Sequence, residues 1–119
     1  MMMIGCIIQA RMGSSRLPGK TMKRIDEHYV IDYVIEQLKL VKKNDMMIVV
    51  TTNLAEDDII CEHLFLKGIK YFRGSSDDVL DRYYRAAKEF SIDVIVRITA
   101  DNPLIDPQIV DLAINEYNS

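Results

Sequence analysis

No run of apolar residues in this sequence approaches the roughly 20 residues that a membrane-spanning helix requires. The apolar stretch near the start is short and follows no basic segment, which indicates a first β-strand and not a secretory signal. The two cysteines, Cys6 and Cys61, lie inside apolar patterns and are expected to be small buried side chains, not a disulfide or metal site. These absences favour a cytoplasmic protein without membrane contact.

Positive charge is in the minority, because the chain carries a formal net charge of −3. An acidic total argues against general nucleic-acid binding. Of the 119 residues, 49% are hydrophobic and 28% are charged, which suffices for one core and is not typical of disorder. We therefore expect residues 1–119 to form a single domain or part of one.

Strand-like apolar runs alternate with helical patterns four times along the chain. The predicted strands are 3–9, 46–51, 69–72 and 93–99, and the predicted helices are 30–43, 59–67, 79–90 and 107–117. Gly68 is placed to end the second helix, Ser75 and Asp78 predict a capping box for the third, and Asp106 is a predicted N-cap for the fourth.

Four successive strand–helix units predict an α/β fold with a parallel sheet flanked by helices and right-handed crossovers. The expected strand order is 3-2-1-4, which brings the loops after the first and fourth strands to one ligand-binding crevice. The fourth strand is a nearly continuous apolar run whose outer edge has no further strand in this chain to pair with. We therefore expect a truncated domain, a homodimer or a second chain that covers this edge.

The loop after the first strand is rich in glycine, serine and cations. Five positive charges and no acid lie between positions 11 and 24, namely Arg11, Arg16, Lys20, Lys23 and Arg24. Fixed cations and backbone N–H groups can together replace water around phosphate oxygens. The loop therefore predicts a phosphate site, although an ordinary solvated loop is the alternative.

Two common phosphate motifs do not fit this loop. Gly13 and the Gly19-Lys20 pair are one residue too far apart for a P-loop, and no G-x-G-x-x-G dinucleotide fingerprint is present. A P-loop-like phosphotransfer protein is therefore a minor alternative. Asp101, at the end of the fourth strand, is positioned to hold Mg²⁺ against phosphate oxygens, although it could simply cap the following turn.

Three ordered motifs, at 9–20, 72–83 and 97–106, closely resemble the cytidylyltransferase family. This family includes proteins of spore-coat polysaccharide biosynthesis and the enzymes that make CMP-activated sialic acid and 3-deoxy-manno-octulosonate. The resemblance implies a Rossmann-like nucleotide-diphospho-sugar transferase fold, of which this chain covers the N-terminal part. It also implies transfer of CMP from CTP to a sugar, often an acidic 2-keto sugar, with Mg²⁺. A non-catalytic nucleotide-binding or assembly module that lacks the sugar-binding half is the alternative.

The resemblance also implies roles for individual residues. Catalytic roles fall on Arg11, Lys20 and Asp101, with Asp101 as the metal ligand, and further nucleotide contacts fall on Ala10, Gly13, Ser14, Arg16 and Arg82. Arg82 could equally pair with Asp78 at i, i+4 on a solvated helix face. Thr51 and Thr52 lie on the same rim and could touch the base, but threonine is also common in strands. His28 and His63 are interpreted as ordinary polar residues.

Overall fold

The computed structural model describes residues 2–13, 19–25, 28–100 and 105–118. The strands are β1 (Ile4–Gln9), β2 (Arg24–Ile25), β3 (His28–Tyr29), β4 (Met46–Thr52), β5 (Tyr71–Gly74) and β6 (Val94–Thr99). The helices are α1 (Val30–Leu38), α2 (Asp58–Lys67), α3 (Val79–Glu89) and α4 (Pro107–Asn118). Two short 3-10 turns cover Lys20–Met22 and Ala55–Asp57.

The main sheet has four parallel strands in the order β5-β4-β1-β6. In the numbering of the four predicted strands this is 3-2-1-4, so the predicted sheet order is confirmed. β1 is central, and its residues 5–9 pair with 46–50 on one side while its residues 4–9 pair with 94–99 on the other. The carboxyl ends of β1, β4 and β6 consequently meet at one edge of the sheet.

The two faces of the sheet are covered unequally. The β1 side chains of Ile4, Cys6 and Ile8 join the larger core cluster, which also contains buried residues of α1, α2 and α4. Ile7 faces the other way and joins a smaller cluster in which α3 contributes Tyr83 and Ala86. Alternation along a strand sends successive side chains to opposite faces, so a single apolar run supplies both clusters.

The helices form where apolar residues recur at helical spacing. In α1 the buried side chains include Ile31, Val34, Ile35 and Leu38, which make one continuous stripe. The helix ends at Leu38, earlier than the predicted residue 43, and Leu40 beyond it is exposed. The Asp111 carboxylate of α4 accepts hydrogen bonds from the backbone N–H groups that follow α1, at 2.9 Å from Lys42 and 2.7 Å from Lys43.

Helix ends agree with the sequence patterns at two of the three predicted positions. Gly68 follows α2 in the left-handed region at φ +71°, which glycine adopts without steric cost. The Asp106 carboxylate accepts from the N–H of Gln108 at 2.8 Å, as expected of an N-cap. The predicted capping box of α3 is wrong, since Asp78 is the N-cap and accepts from the N–H of Asp81 at 3.0 Å. Ser75 instead accepts from the N–H groups of Asp77 and Asp78 before the helix.

The β2–β3 hairpin is not anticipated by the sequence patterns. Its two-residue strands pair Arg24 with Tyr29 and Ile25 with His28, and they are too short for a period-2 pattern to register. The hairpin connects the Lys20–Met22 turn to α1, so the segment that was predicted as loop up to about Val30 contains local structure.

β6 pairs with β1 alone, and no strand within the described ranges covers its other edge. On the α3 side of the sheet Ile95 is partly exposed, so that face of β6 is incompletely covered. Among the helices in the described parts of the chain, none combines the length and apolar character needed to cross a membrane.

Candidate functional site

The candidate site is at the carboxyl edge of the sheet, where the chain leaves β1. The N–H of Ala10 donates to the carbonyl of Val50 in β4 at 3.0 Å, and the N–H of Ala100 donates to the carbonyl of Gln9 at 2.9 Å. Both alanines are buried. The segment that begins at Arg11 and the segment that follows Ala100 therefore start side by side, as expected at a topological switch point.

Met12 holds both ends of the basic loop. Its carbonyl accepts from the N–H of Gly19 at 2.7 Å, and its own N–H donates to the Asp57 carboxylate at 2.7 Å. Gly19 has φ +76°, a left-handed conformation that favours glycine, and it begins the 3-10 turn that carries Lys20. Arg11 and Lys20 are thus brought to the two ends of one closed loop.

Asp57 is fully buried at the start of α2. Its second carboxylate oxygen accepts from the hydroxyl of Thr52, and that hydroxyl in turn accepts from the N–H of Leu54 at 3.2 Å. Thr52 is therefore occupied in this hydrogen-bond network. The two oxygens of one carboxylate join the basic loop to the end of β4.

Arg73 of β5 ties down the same β4–α2 connection. Its guanidinium donates to the carbonyls of Thr52 and Leu54, each at 2.8 Å, and pairs with Asp58 at 2.7 Å. Three hydrogen bonds in a planar fork are typical of arginine in a structural role. The segment that carries Asp57 is consequently held at both ends.

Arg82 on α3 is fully buried, although the sequence pattern allowed it to lie on a solvated helix face. Its Nη1 donates to the carbonyl of Ser75 at 2.6 Å, whereas Nε and Nη2 have no partner among the described residues. The alternative pairing with Asp78 is wrong, because that carboxylate caps α3 instead. Gly74 makes room for Arg82, since a Cβ at Gly74 would lie 2.9 Å from Arg82 Cγ.

Arg11 is the second cation with an unpaired buried donor, because its Nε has no partner in the described parts of the chain. Burial lowers the pKa of Arg82, and the positive charge of Arg11 lowers it further, so the two guanidinium groups are close enough to repel each other. Unpaired buried donors of like charge are costly to a fold. A bound anion would remove both costs at once.

Gly13 directly follows Met12 at the start of the basic loop. A Cβ there would lie 3.0 Å from Glu56 Oε1 and 3.3 Å from Arg11 Nη2, so the space next to Gly13 is already bounded by one acid and one base. The small residue leaves the backbone accessible beside Arg11. This is the property that a phosphate-binding turn requires.

The structure therefore brings together several of the predicted site residues. Ala10, Arg11, Gly13 and Lys20 lie on or beside the loop that Met12 closes, and Arg82 lies buried near Arg11. Ser14, Arg16 and Asp101 lie outside the described residues.

Sequence reasoning missed Asp57, Gly74 and Arg73. Asp57 stands in an acidic segment before an apolar helix, a pattern that ordinarily indicates only a favourable helix N-terminus. His63 was also underestimated, since its Nε2 lies 2.5 Å from Asp32 Oδ1 and its ring packs edge-on against Tyr29. None of these long-range partners leaves a periodic signal.

A comparison with protein families matches residues 5–119 to the cytidylyltransferase family. The chain is 36% identical over 115 residues to the spore coat polysaccharide biosynthesis protein SpsF of Bacillus subtilis, covering 93% of this chain and 48% of that protein. It is 32% identical over 115 residues to a 3-deoxy-manno-octulosonate cytidylyltransferase of Pelobacter propionicus, covering 95% and 44% respectively.

Solved structures agree with this assignment. A cytidylyltransferase from Leptospira borgpetersenii superimposes with a TM-score of 0.92 at 42% identity, over 100% of this chain and 51% of that one. The chain thus spans about half the length of the proteins that it matches. The family profile, the relatives and the fold lead to one conclusion: this chain belongs to the cytidylyltransferase family.

Proposed function

We propose that the loop closed by Met12 binds the triphosphate of CTP in a cytidylyltransferase reaction on a sugar. The single observation that carries this proposal is the pair of guanidinium groups, Arg11 and Arg82, whose buried donors have no partner within the described residues. A polyanion supplies the missing acceptors. Family membership supports CTP as the source of that polyanion.

In the proposed reaction a sugar hydroxyl attacks the α-phosphorus of CTP. A new oxygen–phosphorus bond forms, the bond between the α-phosphorus and the bridging oxygen to the β-phosphorus breaks, pyrophosphate leaves, and the hydroxyl proton passes to water. Such chemistry depends on positioning and on neutralising charge more than on a covalent nucleophile. Arg11 and Lys20 would contact the phosphates, and the backbone at Ala10, Gly13 and Ser14 would approach them closely. Arg16 is a further candidate contact.

Arg82 would act from its buried position near Arg11. Because it is fully buried, its charge contributes to the field at the site in a low-dielectric environment, where screening by water is weak. Its guanidinium is also directed away from bulk solvent, which prevents water from satisfying the unpaired donors. Its electrostatic attraction is therefore strongest for an anion that binds next to it, out of contact with bulk water.

Mg²⁺ is the proposed cofactor and Asp101 its proposed ligand. The described parts of the chain contain no group of three or more metal-binding side chains. A site with one carboxylate fits Mg²⁺, which binds through one or two carboxylates together with phosphate oxygens and water. Asp101 directly follows Ala100 in the sequence, and the N–H of Ala100 donates to the carbonyl of Gln9 at the end of β1. When bound, the ion would neutralise phosphate charge.

The sugar is proposed to be an acidic 2-keto sugar; the name of the Pelobacter relative specifies 3-deoxy-manno-octulosonate for that protein. A role in surface or spore-coat polysaccharide synthesis follows the name of the Bacillus relative. Since the chain spans about half the length of these proteins, the alternative is a module that binds the nucleotide without turnover.

Calorimetry with CTP and Mg²⁺ tests the binding site directly. Lys20→Ala removes one cation from the loop, and we expect it to weaken CTP binding by about tenfold, which is roughly 1.4 kcal/mol. Lys88→Ala is the matched control, because Lys88 is an exposed lysine in the last turn of α3 and is not a predicted site residue. An unchanged CTP affinity in Lys20→Ala would show that the loop is not the phosphate site.

Pyrophosphate release from CTP and 3-deoxy-manno-octulosonate tests turnover. Release above the rate without sugar supports the transferase. A chain that binds CTP but releases none supports the binding module. ATP hydrolysis without a preference for CTP would instead favour the P-loop-like alternative.

A further inference from the structure

We propose that Asp57 is the positioning residue of the phosphate loop: its carboxylate fixes the ends of the loop at Met12 and Gly19, although its negative charge opposes the ligand. This inference rests on the proposed function of the loop. The charge of Asp57 has the same sign as the proposed ligand of the loop. Asp57 is fully buried next to a site whose proposed ligand is a polyanion.

The negative charge of the Asp57 carboxylate acts against anion binding. Its negative charge raises the pKa of the Arg82 guanidinium, so it lies within electrostatic reach of the cations that the anion would contact. In a low-dielectric environment such a charge weakens anion binding. By charge alone, removing Asp57 is expected to strengthen the binding of a polyanion.

Its hydrogen bonds have the opposite effect. The carboxylate accepts the N–H of Met12 at 2.7 Å, and the carbonyl of the same residue accepts the N–H of Gly19 at 2.7 Å. Both peptide groups that flank Met12 are therefore held by hydrogen bonds. The first bond sets where the loop leaves β1, and the second sets where it returns to the turn that carries Lys20.

The other carboxylate oxygen connects this arrangement to the sheet. The Thr52 hydroxyl at the end of β4 donates to it, and the Arg73 fork holds the carbonyls on either side of that connection. Asp57 thus links the end of β4 to Met12, the residue at which the loop leaves β1. Without it, Met12 loses its only described long-range side-chain acceptor, and the entropy of the loop opposes closure.

Asp57→Ala and Asp57→Asn separate charge from position. Asparagine keeps an oxygen for the N–H of Met12 and an amide for Thr52, whereas alanine keeps neither. We expect Asp57→Ala to weaken inorganic pyrophosphate binding at least tenfold and Asp57→Asn to leave it within threefold of wild type or tighter. Glu62→Ala, at an exposed acid of the same helix that lies outside this hydrogen-bond network, is the matched control and should leave pyrophosphate binding unchanged.

Cytidine, which carries no phosphate, gives a readout that general damage to the fold would alter. Cytidine affinity should stay within twofold of wild type in Asp57→Ala while pyrophosphate affinity falls. Equal or tighter pyrophosphate binding by Asp57→Ala would overturn the inference, because charge would then dominate position. Equal losses for both ligands would overturn it as well, since they would indicate a purely structural role.

Amide hydrogen exchange without ligand tests the same inference independently of CTP. The amides of Met12 and Gly19 should exchange at least tenfold faster in Asp57→Ala than in wild type, and near the wild-type rate in Asp57→Asn. Unchanged protection in Asp57→Ala would overturn the positioning role. A wild-type chain that binds neither pyrophosphate nor CTP would instead refute the proposed function, while the exchange result still decides the role of Asp57.

If Asp57→Ala does not fold, Thr52→Val replaces it. This variant keeps the carboxylate and its charge but removes the hydroxyl that orients it. We expect faster exchange at Gly19 and several-fold weaker pyrophosphate binding. Wild-type values for both would overturn the inference.

Discussion

Replacing Arg82 with methionine should largely preserve or increase the stability of the protein while weakening its binding of phosphate. Methionine fills much of the same space without a charge. In the wild type two guanidinium nitrogens are buried without a partner in the described residues, and one donates to the carbonyl of Ser75. The variant removes the unpaired donors and the single hydrogen bond together.

The two effects on folding have opposite signs. Each unpaired buried donor costs about 1–3 kcal/mol, so their removal stabilises the fold by about 2–6 kcal/mol. The lost hydrogen bond from a charged donor costs about 1.5–3 kcal/mol, and the half-buried Ser75 carbonyl can turn to water. We therefore expect a free energy of unfolding between about 1 kcal/mol below and about 4.5 kcal/mol above the wild-type value, in line with other buried charges replaced by apolar side chains.

Phosphate binding should change in the other direction. Loss of a charged donor from a buried site costs about 1.5–3 kcal/mol, which corresponds to roughly 10- to 150-fold weaker binding of pyrophosphate. Urea unfolding in a buffer free of phosphate and sulfate measures stability, because anions would selectively stabilise the wild type. Calorimetry with pyrophosphate measures binding.

Arg85→Met is the control in the same helix. Arg85 has a 66% exposed side chain and pairs with Asp81 at 2.9 Å, so its loss should change stability by less than about 0.5 kcal/mol and leave pyrophosphate binding unchanged. A loss of more than about 1 kcal/mol of stability in Arg82→Met would show that the buried guanidinium is structural. Unaltered pyrophosphate affinity would refute its role in the site.

Two further predictions concern the core. In Gly5→Ala the new Cβ would lie 2.7 Å from Ile92 Cδ1 and 2.9 Å from Ile92 Cγ1, so we expect a loss of about 1–3 kcal/mol in urea unfolding. Ile92→Ala removes all the clashing atoms, so Gly5→Ala should cost less stability in that background, and an equal cost would contradict the clash. Burial raises the pKa of the Cys6 thiol to about 11. In the unfolded chain the thiol has its ordinary pKa of 9.0 and ionises first, so the free energy of unfolding falls between pH 9 and 11. Cys6→Ala should flatten this fall. A pH profile identical to that of the wild type would show that Cys6 is not its cause.

Much of the architecture could be predicted because apolar periodicity is a local property of the sequence. The run that became β1 is apolar at nearly every position, which indicates burial on both faces and hence a central strand. The stripe of α1, the glycine after α2 and the N-cap of α4 follow from spacings of a few residues. The location of the basic loop at the switch point follows from the order of these elements.

The errors arose where burial depends on a neighbouring element. In α3 the apolar side chain of Leu80 is 79% exposed, whereas the charged Arg82 two positions later is fully buried. Glycine at position 74 permits α3 to approach β5 closely enough to enclose Arg82. No pattern within α3 records the absence of a side chain on another strand.

The sequence alone determined the strand order, the faces of the helices and the concentration of positive charge in one loop, because these depend on residues that are near each other in the chain. Only the tertiary structure decided that Asp57 holds the start of that loop and that Arg82 is buried near Arg11. The bond from Met12 to Asp57 spans 45 residues, and the repulsion between Arg11 and Arg82 spans a still longer segment. Polar pairs of this kind have no period, since their geometry is created only when the sheet brings distant segments to one edge.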